Sequence, residues 1–96
     1  MSSEGEASAE ITVENDHGLH LRPAADFVRT AARYRSRIQV ANLTRGDSRQ
    51  ANARSLLEVT ALGIDRGHSI RLSATGEDAE DAVKALTELI RSNFGA

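Results

Sequence analysis

At 96 residues, 40% hydrophobic and 27% charged, the chain has the length and make-up of one small globular domain with a single core. It contains no cysteine, which excludes disulfide staples, thiolate zinc sites and thiol nucleophiles, and only three aromatic residues, so the core has to come from Leu, Ile, Val and Ala. A net charge of −2 argues against a nucleic-acid binder, which would present a basic surface, and no run approaches the roughly 20 apolar residues of a membrane span.

Residues 1–9 are Ser, Glu, Ala and Gly behind the initial Met, with nothing to bury. They read as a disordered acidic tail ahead of a domain over 10–96. They also lack the basic start and apolar middle of a signal peptide, so a cytoplasmic protein is expected. Ile11-Thr12-Val13 alternates as a half-buried strand does, and Asn15-Asp16-His17-Gly18 reads as a turn. A helix follows, with Ala24, Phe27, Val28 and Ala31 at i, i+3, i+4, i+7. Pro23 belongs in its first turn, where a missing N–H costs nothing, so the helix starts close to His20.

A second strand carries Ile38, Val40 and Asn42 on one side, Thr44-Arg45-Gly46-Asp47 turns, and Ser48 to Asn52 returns as a third strand. Ser55 followed by Glu58 ahead of apolar residues is a capping box that opens a short helix ending at Gly63. After the Asp65-Arg66-Gly67 turn, Ile70, Leu72 and Ala74 mark a fourth strand. Asp78 is placed to cap a last helix with the stripe Ala79, Ala82, Val83, Leu86, Leu89, Ile90. The order strand, helix, strand, strand, short helix, strand, helix predicts an α+β open-faced sandwich. Its four-stranded antiparallel sheet carries three helices on one face and water on the other.

The chemistry centres on His20. A helix start gathers free N–H groups and the positive end of the helix dipole, which favours anions. Arg22, two residues on, offers a planar fork to phosphate oxygens. Gly18 allows the sharp bend before the helix, and at least one of Leu19 and Leu21 should anchor the loop in the core. A neutral imidazole is a competent phosphoryl acceptor near pH 7. These features alone also fit a plain surface or capping histidine. His17 and His20, with no cysteine nearby, make a poor metal pair, so no metal or cofactor is expected. His68 reads as a surface residue.

Gly18-Leu19-His20-Leu21-Arg22-Pro23-Ala24-Ala25 closely resembles the active-site signature of the HPr family, the histidine phosphocarriers of the sugar phosphotransferase system. Ala53-Arg54-Ser55-Leu56-Leu57 through Leu62-Gly63 resembles its regulatory-serine segment, and Ser73 to Asp78 leading into the last helix also fits. Together these blocks cover about residues 10–94. The resemblance implies a bacterial carrier that is itself no enzyme. His20 takes a phosphoryl group on Nδ1 from phospho-enzyme I, ultimately from phosphoenolpyruvate, and gives it to a histidine of an enzyme IIA domain.

It further implies that Arg22 neutralises charge during transfer, with Gly18, Pro23 and Ala24 shaping the phosphate site. By the same resemblance the partner surface is implied to be Leu56, Leu57 and Thr60, with Leu21 near the histidine. Ser55 is implied as a regulatory phosphorylation site for an HPr kinase/phosphorylase, although its cap alone accounts for a serine there. A monomer without nucleic-acid or membrane partners is expected. Leu21 stands where the family more often has a small or β-branched residue, and the hairpin near residues 42–47 is longer than in common sugar carriers. The hairpin leaves open the dihydroxyacetone-kinase or nitrogen-related branches; the runner-up in the same fold is a purely regulatory relative, although such relatives typically lack the histidine.

Overall fold

The computed structural model describes residues 5–46 and 49–95. Strand β1 (Gly5–Thr12) leads into helix α1 (Leu21–Ala31). Strands β2 (Arg37–Asn42) and β3 (Gln50–Asn52), helix α2 (Leu56–Ala61), strand β4 (Ser69–Gly76) and helix α3 (Ala79–Arg91) follow. The sheet order is β1-β4-β2-β3, with every neighbouring pair antiparallel. β4 therefore lies inside the sheet between the first and second strands, and its alternation is the cleanest: Ile70, Leu72 and Ala74 are buried. On its other face Arg71 lies opposite Glu10 in register and pairs with it at 2.9 Å. That division of faces is what an open-faced sandwich requires.

The helices cover the apolar face. α3 packs on β1 and β4, α1 packs on α2 and α3, and α2 reaches β3. Phe27, Leu86, Ile90, Leu72 and Val40 meet in one continuous core. The helical stripes read from the sequence point inward: Ala24, Phe27 and Ala31 of α1, and Ala79, Ala82, Val83, Leu86 and Ile90 of α3, are buried.

Three expectations are corrected. First, the tail does not run to residue 9, because β1 begins at Gly5 and pairs with β4 from Gly5↔Gly76 to Thr12↔Ser69. Small residues of weak strand propensity are held there by a ladder of main-chain bonds to β4, with Ala7 and Ala9 packed against the core. Residues 1–4 lie outside the described residues.

Second, β3 starts at Gln50, later than read. The turn before it closes with Gly46 N–H donating to Leu43 O at 3.2 Å, while Asp47 and Ser48 lie outside the described residues. Third, Asp78 occupies the N-cap position of α3 without a side-chain cap bond. Its carboxylate instead accepts from Arg35 N, Ser36 N and Ser36 Oγ, tying the start of α3 to the connection between α1 and β2. The Ser36 hydroxyl, followed by the Arg35 amide, holds the Asp78 carboxyl below the usual carboxylate range.

Candidate functional site

His20 is the N-cap of α1, in an extended conformation with φ −71° and ψ −177°. Its carbonyl accepts the first helical bond from Ala24 N at 2.9 Å. Pro23 has no N–H to offer, so the first-turn amides facing outward belong to Leu21 and Arg22. The imidazole does not cap the helix. It is 62% exposed, and its Nε2 lies 2.8 Å from Asp65 Oδ1. Among the described residues, its Nδ1 has no partner.

Two loops build this arrangement. The β1–α1 loop turns at Asn15, whose side-chain amide donates to Gly18 O at 2.6 Å while Gly18 N–H donates to Asn15 O at 3.1 Å. Gly18 has φ +56°, and a Cβ there would come within 2.3 Å of Ile64 O and 2.6 Å of Asp65 Cα. Glycine is thus required twice over, by a left-handed backbone and by the approach of the second loop. Leu19 N–H donates to Ile64 O at 2.9 Å, and the Leu19 side chain is 2% exposed, so Leu19 is the anchor and Leu21 the exposed neighbour. Gly67 N–H donates to Val13 O at 2.7 Å, and Arg66 pairs with Asp16 at 3.3 Å. The α2–β4 loop is laced to the β1–α1 loop along its length, which delivers Asp65 to His20.

Asp65 was not legible as a site residue, since 45 positions separate it from His20. His68 also departs from its reading as a plain surface residue. It is half-buried, and its Nδ1 accepts from Asp65 N at 3.1 Å and from Asn42 Nδ2 at 3.1 Å. Asn42 is buried and also donates to Leu62 O at 3.3 Å. The loop that carries Asp65 is therefore braced from the core.

Arg22 is exposed on the first turn of α1 and, among the described residues, its guanidinium has no hydrogen-bond or ion-pair partner. Ala24 is buried and Pro23 half-buried beneath the turn. The ring centroids of His17 and His20 are 6.3 Å apart. Among the described residues no group of three or more His, Asp or Glu side chains could hold a metal.

Ser55 caps α2, its Oγ accepting from Glu58 N at 3.2 Å. The reciprocal half of the capping box is replaced: Glu58 Oε1 accepts from Asn52 N at 3.0 Å. Ser55 and Asp65 lie beyond opposite ends of α2, whose six residues span about 9 Å. Leu57 and Leu21 are the large apolar side chains left exposed among the described residues, at 80% and 67%. Leu56 is half-buried and packs on the core. The Thr60 hydroxyl turns back into its own helix, donating to Leu56 O at 2.8 Å.

The family described as PTS HPr component phosphorylation site matches residues 7–92. The chain is 48% identical over 88 residues to the multiphosphoryl transfer protein of Salmonella typhimurium, covering 92% of this chain and 23% of that protein. It thus spans about a quarter of the length of such relatives. It is 40% identical over 80 residues to the phosphocarrier protein HPr of Haloferax volcanii, covering 83% of this chain and 88% of that one. The crystal structure of HPr-C-His from Thermoanaerobacter tengcongensis superposes with a TM-score of 0.86 at 42% identity, over 94% of this chain and 97% of that one. Among the described residues no helix is long and apolar enough to cross a membrane. An exposed histidine at the start of α1, carried on this sheet and matched over nearly the whole chain, makes it a member of the HPr family, the phosphocarriers of the phosphotransferase system.

Proposed function

We propose that His20 is the residue on which this domain carries phosphate, taking the group from phospho-enzyme I and giving it to a histidine of an enzyme IIA domain. The observation that carries the reading is the exposed His20 imidazole at the N-cap of α1, its Nδ1 without a partner among the described residues, two residues before an Arg22 likewise without one among them. In the forward step the Nδ1 lone pair forms the new N–P bond as the donor's P–N bond breaks, its electron pair returning to the donor nitrogen.

Charge on the equatorial phosphoryl oxygens is met by the outward amides of Leu21 and Arg22, by the dipole of α1 and by the Arg22 guanidinium. The domain has no turnover of its own. It is a substrate of the enzymes on either side, and a single copy suffices. The exchange belongs on the cytoplasmic side of the membrane.

Leu21 of α1 and Leu57 of α2 supply exposed apolar area for docking, with Leu56 and Thr60 of α2 completing the surface. Phosphorylation of Ser55 would set a double charge beside Leu57 and oppose the same docking. Identity to multiphosphoryl transfer proteins, of which this chain spans only part, supports a relay in which the domain exchanges phosphate with other phosphotransfer domains.

Incubation with phosphoenolpyruvate and enzyme I should yield one acid-labile, base-stable phosphoryl group on His20. Labelling that persists in His20→Ala would overturn the assignment.

A further inference from the structure

We infer that Asp65 is a positioning residue for His20, keeping the ring proton on Nε2 so that Nδ1 is presented as the nucleophilic nitrogen. The inference rests on the reading of His20 as the phosphoryl acceptor and extends it to a residue from a different loop.

The geometry is specific. The Asp65 carboxylate can only accept, so at 2.8 Å its Oδ1 requires a proton on Nε2. A neutral imidazole has one ring proton, and placing it on Nε2 leaves the Nδ1 lone pair free. Asp65 holds this post because its loop is fixed independently of its carboxylate. Its own amide donates to His68 Nδ1, Leu19 N–H holds Ile64 O, and Arg66 pairs with Asp16 across the same two loops.

The contact matters again after transfer. Forming the N–P bond at Nδ1 while Nε2 keeps its proton makes the ring an imidazolium, and the Asp65 carboxylate faces that charge. No proton moves to Asp65. In the return step the N–P bond breaks with its electron pair returning to Nδ1, and a neutral Nε2–H imidazole leaves. A neutral leaving group departs more readily than an imidazolate, so the same carboxylate that orients the acceptor keeps the phosphorylated form ready to donate. This is the part an aspartate plays behind the histidine of a hydrolytic triad, where it orients and stabilises without being protonated.

His20 and Asp65 are 62% and 57% exposed, which limits the size of the effect. An exposed ion pair is worth at most about 1 kcal/mol, or roughly fivefold in a rate. The test is Asp65→Asn in the intact chain, with Asp65→Glu as the conservative partner. The carboxamide can turn its NH2 toward Nε2 and favour the Nδ1–H form, which cannot accept a phosphoryl group.

Nitrogen-15 NMR of the unphosphorylated protein at alkaline pH should show Nε2–H dominant in wild type and a raised share of Nδ1–H in Asp65→Asn. Transfer from phospho-enzyme I should slow by about fivefold in Asp65→Asn and recover at least in part in Asp65→Glu. Unchanged tautomer populations overturn the inference, and so does a shifted tautomer with an unchanged rate. The tautomer measurement needs no phosphoryl donor, so a failure there is distinct from failure of the carrier reading, which would show as wild-type protein taking up no phosphate on His20.

Discussion

Replacing Gly18 by alanine tests whether the β1–α1 and α2–β4 loops are locked together as the site requires. The added Cβ would lie 2.3 Å from Ile64 O and 2.6 Å from Asp65 Cα, so reaching an ordinary 3.4 Å contact with the carbonyl means parting the loops by about 1.1 Å. Both atoms are backbone and cannot rotate aside. Three costs combine. Holding alanine at φ +56° costs about 1 kcal/mol. Stretching the Leu19 N–H bond to Ile64 O loses about 1 kcal/mol. Disturbing the buried Leu19 side chain adds about another 1 kcal/mol.

The sum, about 3 kcal/mol, is large for one methyl group but below the roughly 5–15 kcal/mol of a whole domain, so the variant should still fold. For a domain of this size Tm should fall by more than about 10 °C. Gly46→Ala and Gly67→Ala supply the control. Both positions have positive φ, +76° and +88°, but among the described residues no atom beyond the chain neighbours lies within 4 Å of the added Cβ. They should lose only the conformational part, about 1 kcal/mol. Denaturant unfolding of the three variants, followed by circular dichroism, separates strain from collision. If Gly18→Ala is no less stable than the two controls, the close approach of Ile64 and Asp65 to the β1–α1 loop is wrong, and the basis for the Asp65 contact goes with it.

Arg22→Ala should slow phosphoryl transfer by at least tenfold while leaving stability within about 0.5 kcal/mol, because the side chain is exposed and partnerless among the described residues. Unchanged stopped-flow transfer kinetics would show the arginine to be incidental. Ser55→Asp should keep or slightly raise Tm, since aspartate is also a good N-cap and its charge suits the helix dipole, while slowing transfer from phospho-enzyme I through a costly charge beside Leu57. Equal rates in the two proteins would leave Ser55 as a cap alone. Ser36→Ala should flatten the acid limb of the stability curve. The folded-state carboxyl of Asp78 titrates lower than in the unfolded chain, so its contribution is complete above the unfolded carboxylate range near pH 4 and is lost as pH falls through the folded value. Superimposable urea midpoints for wild type and variant from about pH 5 to pH 2 would refute that assignment.

What the sequence made legible was local. Pro23 and the apolar spacing of α1 placed His20 at a helix start, because both signals act within a few residues of it. Ser55 announced the cap of α2 for the same reason. What it concealed was long-range. Asp65 looked like a turn residue and Gly18 like a bend. Only the lacing of two loops from distant parts of the chain makes the first a partner of His20 and the second a position with no room for a Cβ. Asp78 shows the same limit from the other side. It has the right residue type at the right place for a cap, yet three donors in the connection between α1 and β2 compete for its carboxylate and win. The early start of β1 was invisible because Gly5, Ala7 and Ala9 owe their strand conformation to β4 and not to themselves.

The exposure of the site is itself a functional argument. A carrier has to accept and surrender the same group, so the phosphorylated and free forms must differ by little more than the small driving force of each exchange. A buried histidine with a buried counter-charge would bind one form too tightly, since a charge pair removed from water is costly to break. Here the helix dipole contributes about 0.3–1 kcal/mol at a surface position, and the exposed His20–Asp65 pair no more than about 1 kcal/mol. The Asp65 contact is enough to orient the ring and the dipole to favour an anion, and neither is enough to trap it. Precision is supplied instead by the backbone beneath. Leu19 is anchored, Gly18 is pressed against Ile64 and Asp65, and the Asp65 loop is braced through His68 to Asn42. On the proposed reading, weak polar contacts on a firmly held frame would let His20 face a donor and then an acceptor without rearrangement. Loosening the frame at Gly18 should therefore impair transfer more than the loss of either surface charge contact alone.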